Sequence, residues 1–215
     1  QAGTGRRKME LAILMLTVGS AVVEIKCGSI YRLEEAYTIF LNGEERGTTQ
    51  KVVTSLFNLS PDRDYLLQLA GEDGSIRGEI SFHTKTETAV LNVRDFGASG
   101  EGEQDDTVFI QAAIMACPPE GRVVIPPGKY RVTSLFLKSN SNLELEEGAV
   151  LIYDGRPGRL PILPGLLSGK EENSFALGSW EGEAADMYAA LFTGCGAENV
   201  NLYGKGEILG GASME

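Results

Sequence analysis

The sequence predicts an all-β protein in two parts: an antiparallel β-sandwich, then the capped first coils of a parallel β-helix. Three observations carry that expectation. Residues 9–88 hold six strand-like runs with turn signals about every ten residues. A single helix pattern follows at residues 105–117. Beyond it, strands of three or four residues recur between tight turns with no further helix.

Composition narrows the function classes. The chain has 215 residues, 42% of them hydrophobic, and 27 glycines, which suits one large or two small turn-rich domains and not a disordered segment. A net charge of -11 argues against nucleic acid or an anionic membrane as partner. An acidic polymer would have to be met by a local cluster of Arg and Lys. Cys27, Cys117 and Cys195 are far apart and form no CxxC pair. They read as three free, mostly buried thiols, so no zinc site, disulfide framework or other cofactor is expected. His83 is the only histidine and no G-x-S-x-G elbow is present, so it reads as a strand residue and not as part of a triad.

Residues 1–8 carry no packing pattern and read as a frayed leader or an appended remnant. Arg6-Arg7-Lys8 ahead of "MELAILMLTVGSAVV" has the outline of a signal peptide. Glu10 interrupts its start, however, and Gly19-Ser20 splits the apolar run into two strand-sized halves. The run is too short to span a bilayer. "LAILML", "AVVEIKC", "YTIFLNG", "KVVTSLF", "DYLLQLAG" and "RGEISFHT" are rich in β-branched and aromatic residues. Asn42-Gly43 and Asp73-Gly74 are hairpin signals. In "LSPDRDYLLQL", Leu59, Pro61 and Tyr65 have the spacing of a tyrosine corner. With that corner, residues 9–88 resemble a fibronectin type III module. Its usual tryptophan is absent, and Ile25 or Cys27 takes that core place. Nothing in this part points to catalysis; it reads as a spacer or docking module.

The helix follows "NVRDFGASGEGEQDD". Phe109, Ile110, Ala113, Ile114 and Cys117 make an apolar stripe, and Pro118-Pro119 stops it. Asp105 or Asp106 is the expected N-cap, accepting orphan backbone N–H groups. Adjacent carboxylates diverge, so the pair is not read as catalytic. The glycines fit neither a dinucleotide fingerprint nor a P-loop, and the acids no calcium loop. The later strands are Val123–Ile125, Tyr130–Val132, Leu135–Leu137, Leu143–Leu145, Val150–Tyr153, Val200–Tyr203 and Ile208–Leu209. Strands this short, roofed by one amphipathic helix, suit a solenoid whose first coil is capped. Asn140 and Asn142 are placed at tight bends in left-handed geometry.

"VRDFGASGEGEQDDTVFIQAAI" with "GRVVIPPGKYRV" resembles the opening segment of pectin-lyase-like right-handed β-helix proteins. "RLPILPG" and "LGSWEGEAADMYAALFTGCGAENVNLYGKGEILGG" resemble the polygalacturonase family (glycoside hydrolase family 28). The likeness is to exo-acting members with an N-terminal fibronectin-type module. The implied fold is an N-terminal fibronectin type III-like β-sandwich at 9–88, then the N-terminal part of a right-handed parallel β-helix at 89–215. The implied activity of the full-length protein is inverting hydrolysis of α-1,4-linked galacturonic acid in pectin. Inversion needs an acid and a base on opposite faces of the sugar. In the family these come from Asn-x-Asp, Asp-Asp, Gly-His-Gly and Arg-x-Lys motifs on later coils. None follows Leu202, and the family's Asp-Gly near Gly210-Gly211 lacks its Asp. No catalytic residue is therefore assigned, and this stretch alone is expected to be inactive.

The long excursion at residues 154–188 is the place left for substrate contact, because loops of this length usually serve a function. Arg156, Arg159 and Lys170 offer cations for a uronate carboxylate, and Trp180 an indole for a sugar face. The expected partner is galacturonan or its oligomers. Self-association through an exposed last coil is expected as well. Two alternatives stay open: another β-helix carbohydrate enzyme (a rhamnogalacturonan hydrolase or pectate lyase), or a non-catalytic binding or assembly module. Free cysteines and a weak leader favour the cytoplasm over a secreted or periplasmic site.

Overall fold

A computed structural model describes residues 8–166 and 177–210. The chain divides into two compact units between Glu87 and Thr88.

The first unit has seven strands: β1 (Glu10–Leu16), β2 (Ala21–Lys26), β3 (Arg32–Leu41), β4 (Glu44–Lys51), β5 (Val53–Leu56), β6 (Asp64–Ala70) and β7 (Ile76–His83). They form two antiparallel sheets, ordered β1-β2-β5 and β4-β3-β6-β7. This is a fibronectin type III-like sandwich. Side chains alternate as a half-buried strand requires: β2 buries Ala21, Val23 and Ile25 and turns Val22, Glu24 and Lys26 outward. Ile39, Leu41, Leu67 and Leu69 close the core from the facing sheet. Ile25, 1% exposed, lies in the core as expected of one of the two candidates. Cys27 does not, because it lies just past β2 and is exposed. The Asn42-Gly43 hairpin has positive φ at both residues, 51° and 83°, which favours Asn and Gly there. The tyrosine corner forms: the Ser60 N–H donates to Tyr65 Oη at 2.9 Å. β4 is absent from the sequence reading. Its EERGTTQK lacks an apolar alternation because it pairs only with β3 at a sheet edge and buries Thr49 alone.

The second unit opens with β8 (Val90–Asn92), β9 (Glu101–Asp105) and α1 (Thr107–Ala116). It continues with β10 (Arg122–Ile125), β11 (Gly128–Val132), β12 (Leu135–Phe136), β13 (Asn142–Leu145) and β14 (Ala149–Tyr153). An excursion carries β15 (Ile162–Leu163), β16 (Ser179–Trp180), β17 (Glu183–Ala184) and β18 (Met187–Tyr188). The chain then returns through β19 (Phe192–Thr193), β20 (Asn201–Gly204) and β21 (Glu207–Leu209). Three parallel ladders stack the coils: β8-β10-β13-β20, β9-β11-β14-β21 and β12-β19. Each strand thus pairs with its counterpart one coil later, which is the wiring of a parallel β-helix.

Like residues stack along its interior. Val123 pairs with Leu143 and Leu143 with Leu202; Tyr130 pairs with Leu151 and Leu151 with Ile208. Helix α1 buries Ile110, Ala113 and Ile114 in the same cluster as Val93, Tyr130 and Leu135, so it closes one end of that core. Of the expected stripe, Phe109 is only half-buried, while Cys117 is buried just past the helix. Gly204 must be glycine: its φ is 118°, and a Cβ there would meet the Leu145 carbonyl oxygen at 2.0 Å.

One expectation is narrowed and three need correction. The carboxylate that serves the helix start is Asp105, whose Oδ1 accepts the Thr107 N–H at 3.0 Å. Asp106 holds the cap position but makes no side-chain cap bond. It is fully buried and accepts from the Ser99 and Gly100 N–H groups and from Gln104, ordering the preceding loop. The Gly-rich segment contains β9, a strand without apolar alternation at the end of its ladder. Asn140 is left-handed, with φ 59°, but Asn142 lies within β13 and works through its side chain. It donates to the Gly121 carbonyl at 2.9 Å and accepts from Asn201 Nδ2 at 2.9 Å. Of the three free thiols only Cys117 is buried, which pushes its pKa up; Cys195, like Cys27, is exposed.

Candidate functional site

The excursion leaves the solenoid from the end of β14. The parallel register of β11 and β14 pairs Val132 with Tyr153, and Asp154 extends it by donating its N–H to the Val132 carbonyl at 2.7 Å. This fixes the Asp154 side chain, only 5% exposed, at a corner of the stack. Arg156 grips it side-on, with Nε 2.7 Å from Oδ1 and Nη2 2.6 Å from Oδ2. A 3-10 turn, Pro157–Arg159, then points Arg159 back across the coils. Arg159 Nη2 donates to Asp105 Oδ2 at 2.6 Å, and its Nη1 lies 3.7 Å from Asp154 Oδ2. Two carboxylates from different coils are thereby tied to two arginines of the excursion.

Beyond this knot the excursion is built from short antiparallel pairs. β15 pairs with β18, Ile162 opposite Tyr188, and β16 with β17, Trp180 opposite Glu183. Asp186 accepts the Gly165 N–H at 2.7 Å. Pro161 and Ala189 close the base through a backbone bond of 2.9 Å. Ile162, Leu166, Trp180, Met187 and Tyr188 are all exposed on it, Trp180 by 69%.

Burial works against the charge on Asp105, but hydrogen bonds from Thr107 and Arg159 outweigh it and hold the carboxyl below its ordinary value. The Arg156 bonds hold Asp154 lower still, at about 2, against a partial opposition from burial. A depressed carboxyl contributes stability above its unfolded value of 3.8. That contribution is lost only as pH falls towards 2. Both aspartates are thus held ionised. Neither is set up as the protonated acid that glycoside cleavage needs.

Of the four residues proposed from the sequence for substrate contact, Arg156 and Arg159 come together at one corner. Trp180 stands exposed on a separate hairpin, and Lys170 lies outside the described residues. The sequence reading missed Asp105 and Asp154 as partners of the arginines. Asp154 two residues before Arg156 is a local signal, whereas Asp105 is 54 residues from Arg159 and leaves none. Among the described residues there is no group of three or more His, Cys, Asp or Glu able to hold a metal ion, and no helix long and apolar enough to cross a membrane.

Residues 90–151 match the family described as rhamnogalacturonase A/epimerase, pectate lyase-like. The second unit is a parallel β-helix. The matched residues of this β-helix run from β8 into β14, its capped first coils. A family 28 exopolygalacturonase of Yersinia enterocolitica has the same fold over 94% of this chain and 40% of its own, with a TM-score of 0.66 and 24% identity. The chain is 29% identical over 164 residues to an exo-poly-alpha-D-galacturonosidase of Dickeya chrysanthemi, covering 69% of this chain and 24% of that protein. It is 41% identical over 86 residues to mannuronan C5-epimerase AlgE1 of Azotobacter vinelandii, covering 39% of this chain and 6% of the epimerase. The chain therefore spans a quarter or less of the length of these two relatives.

Proposed function

We propose that the chain is the N-terminal portion of an exo-polygalacturonase that hydrolyses α-1,4-linked galacturonic acid in pectin with inversion. The observation that carries this reading is the 164-residue similarity to an exo-poly-alpha-D-galacturonosidase, which extends over 69% of the chain. The sandwich serves as spacer or docking module, and the β-helix as the beginning of the catalytic scaffold. The excursion binds uronate sugars: Arg156, Arg159 and Lys170 attract the carboxylates and Trp180 supports a ring face. The acid and base for inversion belong to coils outside this stretch. Residues 1–215 alone are expected to release no reducing sugar from polygalacturonate. The exposed last coil associates with a second copy.

The gene sequence after the Glu215 codon tests the enzyme reading. Coils bearing Asp-Asp and Gly-His-Gly support it; clustered calcium-binding acids point to a lyase; a stop codon there points to a non-catalytic module. A calorimetric titration with oligogalacturonides tests the excursion, and no affinity at millimolar ligand overturns its role. A second reading, an enzyme acting on another polyuronide, is favoured by the 41% identity to a mannuronan C5-epimerase. Mannuronan oligomers belong in the same titration, and tighter binding to them than to galacturonan would favour it.

A further inference from the structure

The two arginines at the foot of the excursion differ in how their carboxylate partners are held. Arg156 takes both oxygens of Asp154, at 2.7 and 2.6 Å. Asp154 has a side chain only 5% exposed, so taking Arg156 away would strand a carboxylate that water scarcely reaches. Arg159 makes a single hydrogen bond to Asp105, and its Nη1 approaches Asp154 no closer than 3.7 Å. The side chains of Arg159 and Asp105 are 40% and 35% exposed. Asp105 has its other oxygen on the Thr107 N–H, so releasing Arg159 would return Oδ2 to water and leave the helix start intact.

We propose that Arg159 is an exchangeable anion site: Asp105 occupies it in the free chain, and a uronate carboxylate displaces Asp105 when sugar binds. This rests on the reading of the excursion as a uronate-binding element. The exchange replaces one hydrogen bond by the side-on pair that a planar guanidinium and a free carboxylate can make. Asp154 stays nearby throughout and orients the guanidinium. The self-occupied state also has a use in specificity. A chain of net charge -11 repels polyanions in general. An arginine that gives up its own aspartate only to a well-placed carboxylate adds discrimination against other anions. Arg156, locked to a nearly buried partner, keeps that partner while its exposed charge adds to the attraction at the corner.

The test is a titration of the whole chain with trigalacturonate at low salt, comparing wild type with Asp105→Asn. Asparagine keeps an acceptor for the Thr107 N–H but gives up the charge that competes for Arg159. An exposed ion pair contributes modestly, so Asp105→Asn is expected to tighten binding by about two- to fivefold, equivalent to about 0.4–1 kcal/mol. Glu103→Gln removes a charge from the same strand and should give no such gain. With Arg159→Gln added to both, wild type and Asp105→Asn should no longer differ. The methyl-esterified trimer, which has no free carboxylates, should not distinguish Asp105→Asn from wild type. Asp105→Ser, also a capping residue, is the second variant if Asp105→Asn fails to fold. Equal affinity of wild type and Asp105→Asn, or the same gain from Glu103→Gln, overturns the exchange and leaves the uronate reading standing. No binding by any variant removes the uronate reading itself, and the exchange with it.

Discussion

His83 shows what a single residue can report. It stands exposed at the end of β7 with Nδ1 2.8 Å from Asp64 and Nε2 2.9 Å from Asp62. Hydrogen bonds to Asp62 and then to Asp64 raise its pKa above 6.5. A raised histidine contributes stability that is complete below the unfolded value of 6.5 and is lost as pH rises through the folded value. The chain contains no other histidine, so its ring proton resonances titrate alone in an NMR spectrum. The folded midpoint should lie above 6.5, and the Asp62→Asn, Asp64→Asn double variant should bring it back down. An unchanged midpoint in the double variant would refute the clamp. Legibility at this scale follows distance along the chain. The tyrosine corner was readable because Ser60 and Tyr65 are five residues apart and their spacing is itself the motif. The two aspartates that hold His83 were not, since they lie 21 and 19 residues away and become its neighbours only once β6 and β7 pair.

At the level of elements, the solenoid is held by inner apolar stacks and by side-chain ladders at its turns. Asn142 belongs to such a ladder. It bonds the Gly121 carbonyl of the coil before and Asn201 of the coil after, and Asn199 bonds Asn140 beside it. Truncating Asn142 to alanine removes both bonds and leaves the carbonyl of the buried Gly121 without that donor. The expected cost is about 1–3 kcal/mol, read as a lower urea midpoint of the β-helix transition. Leu151→Ala opens a cavity at a fully buried position and should cost about 2–5 kcal/mol in the same measurement. A loss no greater for Leu151→Ala than for an exposed residue such as Val108→Ala would contradict the stacked core. The interior strands were legible because each carries a short apolar run between Pro-Gly, Asn or Glu-Glu-Gly turns. β4 and β9 were not legible, because a strand paired on one side and facing solvent needs no apolar residues. The excursion's small pairs stayed hidden for a related reason: strands of two residues are too short for any period to show.

For the β-helix as a whole, what decides behaviour is how its two ends are treated. Helix α1 covers the first coil. At the other end β20 and β21 are the edge strands among the described residues. Leu143 and Leu151 are 1% and 0% exposed, yet Leu202 and Ile208, stacked on them one coil later, are 40% and 51% exposed. A coil that offers exposed apolar side chains along edge strands is the surface that the next layer of a solenoid buries. In solution a second copy of the chain offers the same chemistry. Sedimentation of residues 1–215 should therefore show mass rising with concentration. Ile208→Lys should suppress the rise, because a lysine on an edge strand resists desolvation against a neighbour. The substitution sits where the side chain is half exposed, so the thermal midpoint should move little, which separates lost association from lost folding. Tyr31→Lys, at a still more exposed position on the sandwich, should leave association intact. A wild-type chain that stays monomeric at the highest attainable concentration, or an Ile208→Lys variant that associates as well as wild type, would remove the last coil from this role.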